Sequence, residues 1–450
     1  MSTRELVVLL WATEAGRLTC DRQGRLRFTY AHPWRERRDA VPLSLSMPLG
    51  AAEHPHKPVS AYLWGLLPDN EVVLRRWAQR FHVSARNPFT LIAHVGEDCA
   101  GAVQFVLPER LEAVVGRGPM QVEWLDDEQI AARLRLLRED QGAWRSPSDT
   151  GQFSLAGAQA KTAFLLHEGR FGVPAGRTPT THILKPPLRD FPGHVENEHL
   201  CMTLARELGL ATAISAVRRF EDEVAIVVTR YDRIHTADLA GTAAARAEVK
   251  ALAELAQSEP VLRLHQEDMC QALGVPPTSK YQNEGGPAPA QIVSMLREHS
   301  SNPTEDVAAF VDALAFNWLI AGTDAHAKNY SLLLAAGGQV RLAPLYDLAS
   351  ALPYPDLELQ RIRMAMKIGS KYRIRDILVR HWRALCQAVG VDGDETLDRI
   401  AEMAKQIPER VDDLGHRMTA EGLDAEAVGR LVTLISARAR ACQELLASGA

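Results

Sequence analysis

The sequence is poor in cysteine and has no long hydrophobic run, and each shortage excludes a class of protein. Its six cysteines are scattered over 450 residues without a C-x-x-C pair. This argues against a disulfide framework or a zinc site and favours reduced thiols in the cytoplasm. No run reaches the roughly 18 apolar residues of a transmembrane helix, so we expect no membrane span. The apolar part of the opening MSTRELVVLLW is too short for a signal peptide.

The overall composition is typical of a globular chain with a sizeable core. Hydrophobic residues make up 46% of the chain and charged residues 24%, both ordinary values. The formal net charge of −5 disfavours unaided binding of nucleic acid through general electrostatics. A length of 450 residues exceeds one ordinary domain and is sufficient for two or three.

The most informative stretch runs from Phe316 to Asp347, with the sequence FNWLIAGTDAHAKNYSLLLAAGGQVRLAPLYD. An apolar segment leads into a polar loop, and a predicted hairpin with its turn at Ala335–Gly338 then returns the chain to Asp347. Asp324 and Asn329 have the D-x-x-x-x-N spacing of a kinase catalytic loop. In kinases the Asp orients the attacking hydroxyl, the Asn binds a metal, and a later Asp binds the metal that bridges the ATP phosphates. Asp and Asn are also common in ordinary loops, so the spacing alone does not decide the function.

Upstream segments supply the parts that such a loop needs to bind ATP. The small-residue loop Ser154–Ala160 precedes an apolar strand, and small residues let backbone amides approach a triphosphate closely, although an ordinary hairpin turn has the same composition. Thr181–Lys185 reads as a strand that ends in a lysine, as in kinases. Glu198 lies in an amphipathic helix, Val195–Leu208, where a kinase places the glutamate that pairs with that lysine.

The remaining elements fit the same order of parts. The apolar strand Val224–Thr229 is followed by Arg230-Tyr231-Asp232-Arg233, where the hinge between two kinase lobes would fall. Tyr231 is therefore a candidate contact for the adenine ring, through backbone groups. Residues 373–390, 394–406 and 425–447 have helical periodicity, which predicts a largely helical C-terminal lobe.

Taken in order, these motifs resemble the HipA family, bacterial serine/threonine kinases that act as toxins in type II toxin–antitoxin pairs. The likeness covers nearly the whole chain and rests on the motifs SLAGAQAKTAF, THILKPP, NEHLCMTLARELGL, RYDR, QEDMCQALG, KYQNEGGP, GTDAHAKNYS and LAPLYDLAS. We therefore expect an α+β fold, bilobal and protein-kinase-like. Its expected parts are an N-terminal mixed α/β subdomain (1–110), a connector (111–150), an N-lobe-like ATP-binding region (151–260) and a C-lobe-like catalytic and helical region (261–450).

The resemblance also implies a role for individual residues. Asp324 matches the catalytic aspartate that accepts the proton of the substrate hydroxyl, and Asn329 and Asp347 match the Mg²⁺ ligands. Lys185 matches the lysine that binds the ATP phosphates, and Glu198 its helix partner.

The small-residue loop matches the family's phosphate loop, which places Leu155, Ala156, Gly157, Ala158 and Gln159 against ATP. Ser154 matches the serine that such kinases phosphorylate on themselves, a reaction that expels the loop and switches off ATP binding. In one departure, Ala160 stands where the family often has an acidic residue.

The resemblance implies ATP and Mg²⁺ as cofactors and a protein substrate, with aminoacyl-tRNA synthetases, above all glutamyl-tRNA synthetase, as the leading candidates. Their phosphorylation would cause growth arrest and persistence. The implied partner is a HipB-like helix-turn-helix antitoxin that neutralises the toxin in a heterotetramer on operator DNA, so that this chain reaches DNA only indirectly. Two alternatives stay open: a kinase of small molecules or lipids, and a catalytically weak, kinase-like co-repressor that acts with a DNA-binding antitoxin.

Overall fold

The structure, a computed structural model, describes residues 4–116, 120–140, 143, 153–236, 261–354 and 361–449. The chain forms two units, each drawn from separate stretches of sequence. The first unit comprises residues 1–185, 229–267 and 333–339, and the second comprises residues 186–228, 268–332 and 340–450. Among the described residues, no helix has the length and apolar character needed to cross a membrane.

An antiparallel sheet forms the N-terminal part of the first unit. Its strands are β1 (Arg4–Leu10), β2 (Thr13–Cys20), β3 (Leu26–Tyr30), β4 (Glu53–His54) and β5 (Val103–Val106), in the order β4-β3-β2-β1-β5. The interior strand β1 is buried continuously from Leu6 to Leu10, which explains its unbroken apolar run.

Short helices lie between the strands of this sheet in sequence: α1 (His32–Arg35) between β3 and β4, and α2 (His56–Leu66), α3 (Glu71–Phe81) and α4 (Pro88–Val95) between β4 and β5. The side chains of Asn70 and Asn87 accept hydrogen bonds from the first-turn amides of α3 and α4. These bonds satisfy backbone donors that the helix itself leaves unpaired, so the two asparagines define where α3 and α4 begin.

The first unit also contains a second antiparallel sheet that carries two segments of the predicted site. The strands of this sheet that belong to the first unit are β6 (Gln121–Trp124), β7 (Thr162–His167), β8 (Arg170–Ala175) and β9 (His182–Lys185), in the order β9-β7-β8-β6. Helices α5 (Leu111–Val115) and α6 (Asp127–Glu139) belong to the same part of the chain. The small-residue loop leads into β7, and Lys185 ends β9.

A buried cluster of charges joins distant segments of the first unit. Asp98 lies 2.9 Å from Arg233 Nη2, 3.4 Å from Arg263 Nη2 and 3.6 Å from Arg230 Nη1. Arg230 and Arg233 also pair with Asp232 at 2.9 and 3.0 Å, and all of these side chains are buried. Burial alone would raise the pKa of Asp98, but the surrounding guanidinium groups outweigh it and hold that pKa well below its usual range.

Further strands pair with one another along the chain, and one of these pairs is the predicted hairpin. Strand β10 (Ser215–Phe220) pairs with β11 (Glu223–Thr229), and β12 (Arg233–His235) pairs with β13 (Val261–Arg263). Strands β14 (His265–Asp268), β15 (Ser331–Ala335) and β16 (Gln339–Leu342) form a sheet in the order β14-β15-β16. The hairpin predicted around Ala335–Gly338 is present, and Gly337 and Gly338 at its turn have φ values of 74° and 75°, which suit glycine.

The second unit is mainly helical. Its helices are α7 (His194–Glu207), α8 (Met269–Ala272), α9 (Pro289–His299), α10 (Pro303–Ile320), α11 (Val379–Val389), α12 (Gly393–Ala420) and α13 (Ala425–Ser448), and it also contains the strand pair β17 (Arg363–Ile368) and β18 (Lys371–Arg373). The helical C-terminal region predicted from periodicity is present. The helix predicted over residues 394–406 is longer in the structure and continues through Pro408 to Ala420.

Packing explains why α12 continues past its proline. Ile407, Val411, Leu414 and Met418 are buried at helical spacing on both sides of Pro408, and α12 packs against α13. A proline inside a helix costs about 3 kcal/mol, whereas one fully buried aliphatic side chain contributes about 1.5–3 kcal/mol. The buried face therefore outweighs the local preference for a helix end.

Helix α10 leads directly into the predicted catalytic loop, and its C-terminal end is tightly defined. Ala321 adopts a left-handed conformation with φ of 56°, and the amide of Gly322 donates to the carbonyl of Asn317 at 2.7 Å. A Cβ atom on Gly322 would lie 2.3 Å from Asn317 Oδ1. Because Asn317 is buried and its amide nitrogen donates to Ala313, it has little freedom to move away.

Asp98→Asn should strongly destabilise the first unit, because it removes a carboxylate that faces three buried guanidinium groups. We expect a loss of about 3–5 kcal/mol in the free energy of unfolding, measured by chemical denaturation at pH 7. Glu53→Gln, which removes a partner of Arg27 in an exposed pair, should change it by less than about 1 kcal/mol. Equal effects of the two substitutions would contradict this account.

Asp98 should also make the stability of the fold depend on pH, because its pKa is lower in the folded chain than in the unfolded chain. Its contribution to stability should be complete above the unfolded pKa of about 4 and decline as the pH falls towards the folded pKa. Asp98→Asn should therefore weaken the dependence of stability on pH below about 4.

Gly322→Ala should destabilise the entry to the catalytic loop by about 1–3 kcal/mol, because the added methyl group overlaps Asn317. The measurements are the thermal midpoint and the hydrogen exchange of residues 321–329, which should become faster. Gly429→Ala is the matched control on α13, where a Cβ atom meets nothing within 4 Å. Alanine is preferred over glycine in a helix by up to about 1 kcal/mol, so the control should be neutral or slightly stabilised. Equal thermal midpoints for the two variants would refute the steric argument.

Candidate active site

Ser154 lies at the start of the small-residue loop and is fully buried. Its hydroxyl donates to the carbonyl of Leu66 at 2.7 Å, and its amide donates to the carbonyl of Asp98 at 2.9 Å. The loop is thus attached at its beginning both to the end of α2 and to the buried charge cluster.

The middle of this loop is held by the segment that joins α2 to α3. The amide of Asp69 donates to Gly157 O at 3.0 Å, and Asn70 Nδ2 donates to Ala158 O at 3.3 Å. Gly157 has a φ of 102°, and a Cβ atom there would lie 2.7 Å from Lys161 Nζ. The positive φ favours glycine at this position, and a larger residue would also displace the Lys161 amine.

Two polar side chains, one in the loop and one directly after it, have properties expected of an anion-binding site. Lys161 is buried, and its amine donates to Ala156 O at 2.6 Å. The amide nitrogen of Gln159 is buried and has no hydrogen-bond partner among the described residues. Buried donors are normally satisfied, so the Gln159 amide is consistent with a loop that receives a ligand. Leu155 and Ala160 are buried and close the loop against the core.

Lys185 and Tyr231 also belong to the first unit. Lys185 is buried at the end of β9. Tyr231 precedes β12, and its hydroxyl donates to Gln266 Oε1 at 2.6 Å. Gln266 is a polar side chain beside Tyr231 that spacing alone did not single out, although it lies in the motif QEDMCQALG.

Glu198 lies in the second unit, as predicted on a helix. It is buried within α7, and its Oε2 atom is 3.9 Å from His194 Nε2. Lys185 belongs to the first unit and Glu198 to the second, and their pairing stays a prediction.

The loop after α10 brings Asp324 and Asn329 together. The carbonyl of Asp324 accepts hydrogen bonds from the amide of His326 at 2.8 Å and from Asn329 Nδ2 at 2.8 Å. The Asn329 side chain therefore uses its donor within the loop, and its carbonyl oxygen is the atom suited to a cation. The Asp324 carboxylate is exposed, and Tyr281 donates its hydroxyl to Asp324 Oδ1 at 2.6 Å.

Asp347 follows a firmly anchored segment. Leu345 exchanges two backbone hydrogen bonds, both 2.8 Å, with residues 211 and 213. The hydroxyl of Tyr346 donates to Lys328 O at 2.6 Å and lies 2.7 Å from Ser331 Oγ. Asp347 itself has a φ of 54°, a conformation that costs a non-glycine residue energy and is concentrated at functional sites.

Asn329 and Asp347 fit Mg²⁺ by the chemistry of their oxygen atoms. Mg²⁺ prefers amide and carboxylate oxygens and usually keeps several water and phosphate ligands. Within the described ranges, no group of three or more His, Cys, Asp or Glu side chains could hold a metal ion. The two residues could therefore supply part of a coordination shell, with phosphate oxygens and water supplying the rest.

Comparison with known proteins shows which family this sequence is similar to. The family profile for the HipA N-terminal domain matches residues 6–106, and the profile for the HipA-like C-terminal domain matches residues 153–411. A putative kinase of Sinorhizobium fredii, Y4mE, is 34% identical over 98% of this chain and 99% of its own length. The serine/threonine-protein kinase toxin HipA of Shewanella oneidensis is 28% identical over 85% of this chain and 82% of its own length.

A solved structure extends the likeness to three dimensions. A chain from the complex of Shewanella oneidensis HipA, HipB and operator DNA matches with a TM-score of 0.81 and 25% identity, over 98% of this chain and 98% of that one. The α+β, HipA-like kinase fold predicted from the ordered motifs is confirmed. With profile matches over most of its length and a 34% identical relative, the chain belongs to the HipA family.

Proposed function

We propose that this chain is an ATP- and Mg²⁺-dependent kinase that phosphorylates serine or threonine residues of a protein, and that it acts as the toxin of a toxin–antitoxin pair. The main support is the loop after α10. It fixes Asn329 on the backbone of Asp324 and leaves the Asp324 carboxylate exposed to an incoming substrate. Family membership and the strained Asp347 add to it.

The proposed reaction transfers the γ-phosphoryl group of ATP to a substrate hydroxyl. Asp324 orients the hydroxyl and accepts its proton while the substrate oxygen bonds to phosphorus and ADP leaves. Lys185 and the backbone of the loop Leu155–Gln159 would bind phosphate oxygens, and Asn329 and Asp347 would hold the metal. Bound Mg²⁺ would neutralise charge on the phosphates.

We propose the same assignment for the remaining predicted residues. Glu198 would orient Lys185, and Tyr231 would contact the adenine through backbone groups. Ser154 would be the residue that the protein phosphorylates on itself. Since its hydroxyl is buried against Leu66, the loop must leave its present position before Ser154 can react, and a phosphate there would prevent its return.

The protein substrate and partner are proposed from the relatives. The Shewanella HipA is named a serine/threonine-protein kinase toxin, and its solved structure is a complex with HipB and operator DNA. We propose a HipB-like helix-turn-helix antitoxin as partner, with DNA reached through it. The proposed target is an aminoacyl-tRNA synthetase in the cytoplasm, with glutamyl-tRNA synthetase as the leading candidate. Loss of that enzyme's activity would arrest growth of the cell.

The co-repressor alternative fits the structure less well. A protein that only bridges an antitoxin and DNA has no need of an exposed Asp324, an oriented Asn329 and a strained Asp347. A kinase of small molecules would need the same residues, and it differs in that Ser154 would not be phosphorylated.

Asp324→Asn should abolish self-phosphorylation. Purified protein, first treated with phosphatase, is incubated with ATP and Mg²⁺, and phosphate on Ser154 is followed by mass spectrometry. Because the amide cannot accept the proton, the rate should fall about 10²–10⁴-fold. Asp398→Asn, an exposed aspartate on α12, is the matched control and should behave as wild type. Equal phosphate in wild type and Asp324→Asn would exclude Asp324 as the catalytic residue.

DNA association should depend on the antitoxin. At a net charge of −5, the chain alone should bind operator DNA weakly, and co-expression with a helix-turn-helix protein encoded beside it should give a complex that is retained on that DNA. Electrophoretic mobility shift with and without the partner is the measurement. Equal binding by the chain alone would contradict the indirect route to DNA.

A further inference from the structure

The motif KYQNEGGP, residues 280–287, contacts the candidate site through Tyr281 but has been given no function so far, and its backbone forms a closely determined turn. The amides of Glu284 and Gly286 both donate to Tyr281 O, at 3.0 and 2.9 Å, and Gly285 has a φ of 88°. A Cβ atom on Gly286 would lie 2.2 Å from Ser279 O and 2.7 Å from Tyr281 O. Both glycines are therefore required for the turn to fold around the carbonyl of Tyr281.

The turn is attached to its surroundings on both sides of Tyr281. Before it, the carbonyl of Lys280 accepts a hydrogen bond from the amide of Ala327 in the catalytic loop at 3.3 Å. After it, Gln282 Oε1 accepts from the amide of Lys367 in β17 at 2.7 Å. The backbone that carries Tyr281 is thus fixed relative to the loop that carries Asp324.

This backbone directs the Tyr281 side chain to the predicted catalytic group. The hydroxyl lies 2.6 Å from Asp324 Oδ1, and the ring meets the His326 ring edge-on with a centroid distance of 5.0 Å. A phenol bound to a carboxylate donates its proton, and such charge-assisted bonds are short and strong. Since the Asp324 carboxylate is exposed, folding does not require the bond in order to satisfy a buried group.

We propose that Tyr281 is a positioning residue for phosphoryl transfer. By holding Oδ1 of Asp324, its hydroxyl presents Oδ2 of the same carboxylate to the substrate hydroxyl. Tyr281 keeps its own proton throughout, and the substrate proton goes to Asp324 as the phosphoryl group leaves ADP. This inference rests on the proposed kinase function, because it requires Asp324 to act on a substrate hydroxyl.

The test compares full-length wild type, Tyr281→Phe and Tyr281→Leu, each treated with phosphatase and then given ATP and Mg²⁺. Phosphate on Ser154 is followed over time at several ATP concentrations, and ATP affinity is measured separately with a fluorescent ATP analogue. Tyr281→Phe keeps the ring against His326 and loses only the hydroxyl. Tyr372→Phe is the matched control, because its ring lies near the Lys367 amine and is retained in the variant.

Tyr281→Phe should lower the maximal rate about 10- to 100-fold, the range expected when a catalytic group loses its alignment, with the KM for ATP within about twofold of wild type. Tyr281→Leu should be impaired at least as much. Tyr372→Phe should match wild type, and all variants should keep their thermal midpoints. In an Asp324→Asn background, Tyr281→Phe should cause no further loss, because the two residues act through one group.

Several results would overturn the proposal. A wild-type rate for Tyr281→Phe would show that the hydroxyl does not matter, and a faster rate would show that it competes with the substrate for Asp324. A loss of rate that is explained by weaker ATP binding would show that Tyr281 affects nucleotide binding and not the alignment of Asp324. If wild type is active, Asp324→Asn is inactive and Tyr281→Phe is unchanged, only this inference fails. If wild type places no phosphate on Ser154, the proposed function fails together with it.

Discussion

The position of the small-residue loop Ser154–Ala160 depends on the buried ion cluster around Asp98. Its carboxylate faces the guanidinium groups of Arg230, Arg233 and Arg263, and its backbone carbonyl accepts the amide of Ser154. Charges inside a protein are costly unless each is paired, so the segments that carry these residues must fold together. Arg230, Asp232 and Arg233 of the RYDR motif therefore help to fix where the loop Leu155–Gln159 begins.

In the second unit, neutral hydrogen bonds hold the loop that carries Asp324. Asn329 and His326 bind the backbone of Asp324, and Tyr346 binds the backbone of Lys328. The main chain is thereby ordered while the Asp324 carboxylate stays exposed. Under the proposed function, a carboxylate that acts on a protein substrate needs both properties, an ordered backbone and an accessible side chain.

Local sequence patterns predicted those elements whose structure depends mainly on residues close together in the sequence. The five-residue spacing from Asp324 to Asn329 and the glycines after Ala335 are sufficient to predict a polar loop and a hairpin, and both are present. The extent of α12 could not be predicted from its own residues, because burial against α13 overrides Pro408. The contact between Tyr281 and Asp324 joins residues 43 positions apart, and no periodicity connects them. Only the tertiary fold brings the motif KYQNEGGP to the catalytic loop.

The burial of Ser154 affects how quickly this residue could be phosphorylated. A phosphoryl donor can reach the Ser154 hydroxyl only in those molecules whose loop has separated from Leu66, and each 1.4 kcal/mol of opening free energy lowers that fraction tenfold. Under the proposed function, the delay before self-inactivation would depend on the local stability of the loop as well as on the speed of the chemistry. A nucleotide that binds the closed loop would stabilise it and lower the fraction of open molecules, so the loop and its ligand together would influence how long the protein stays active.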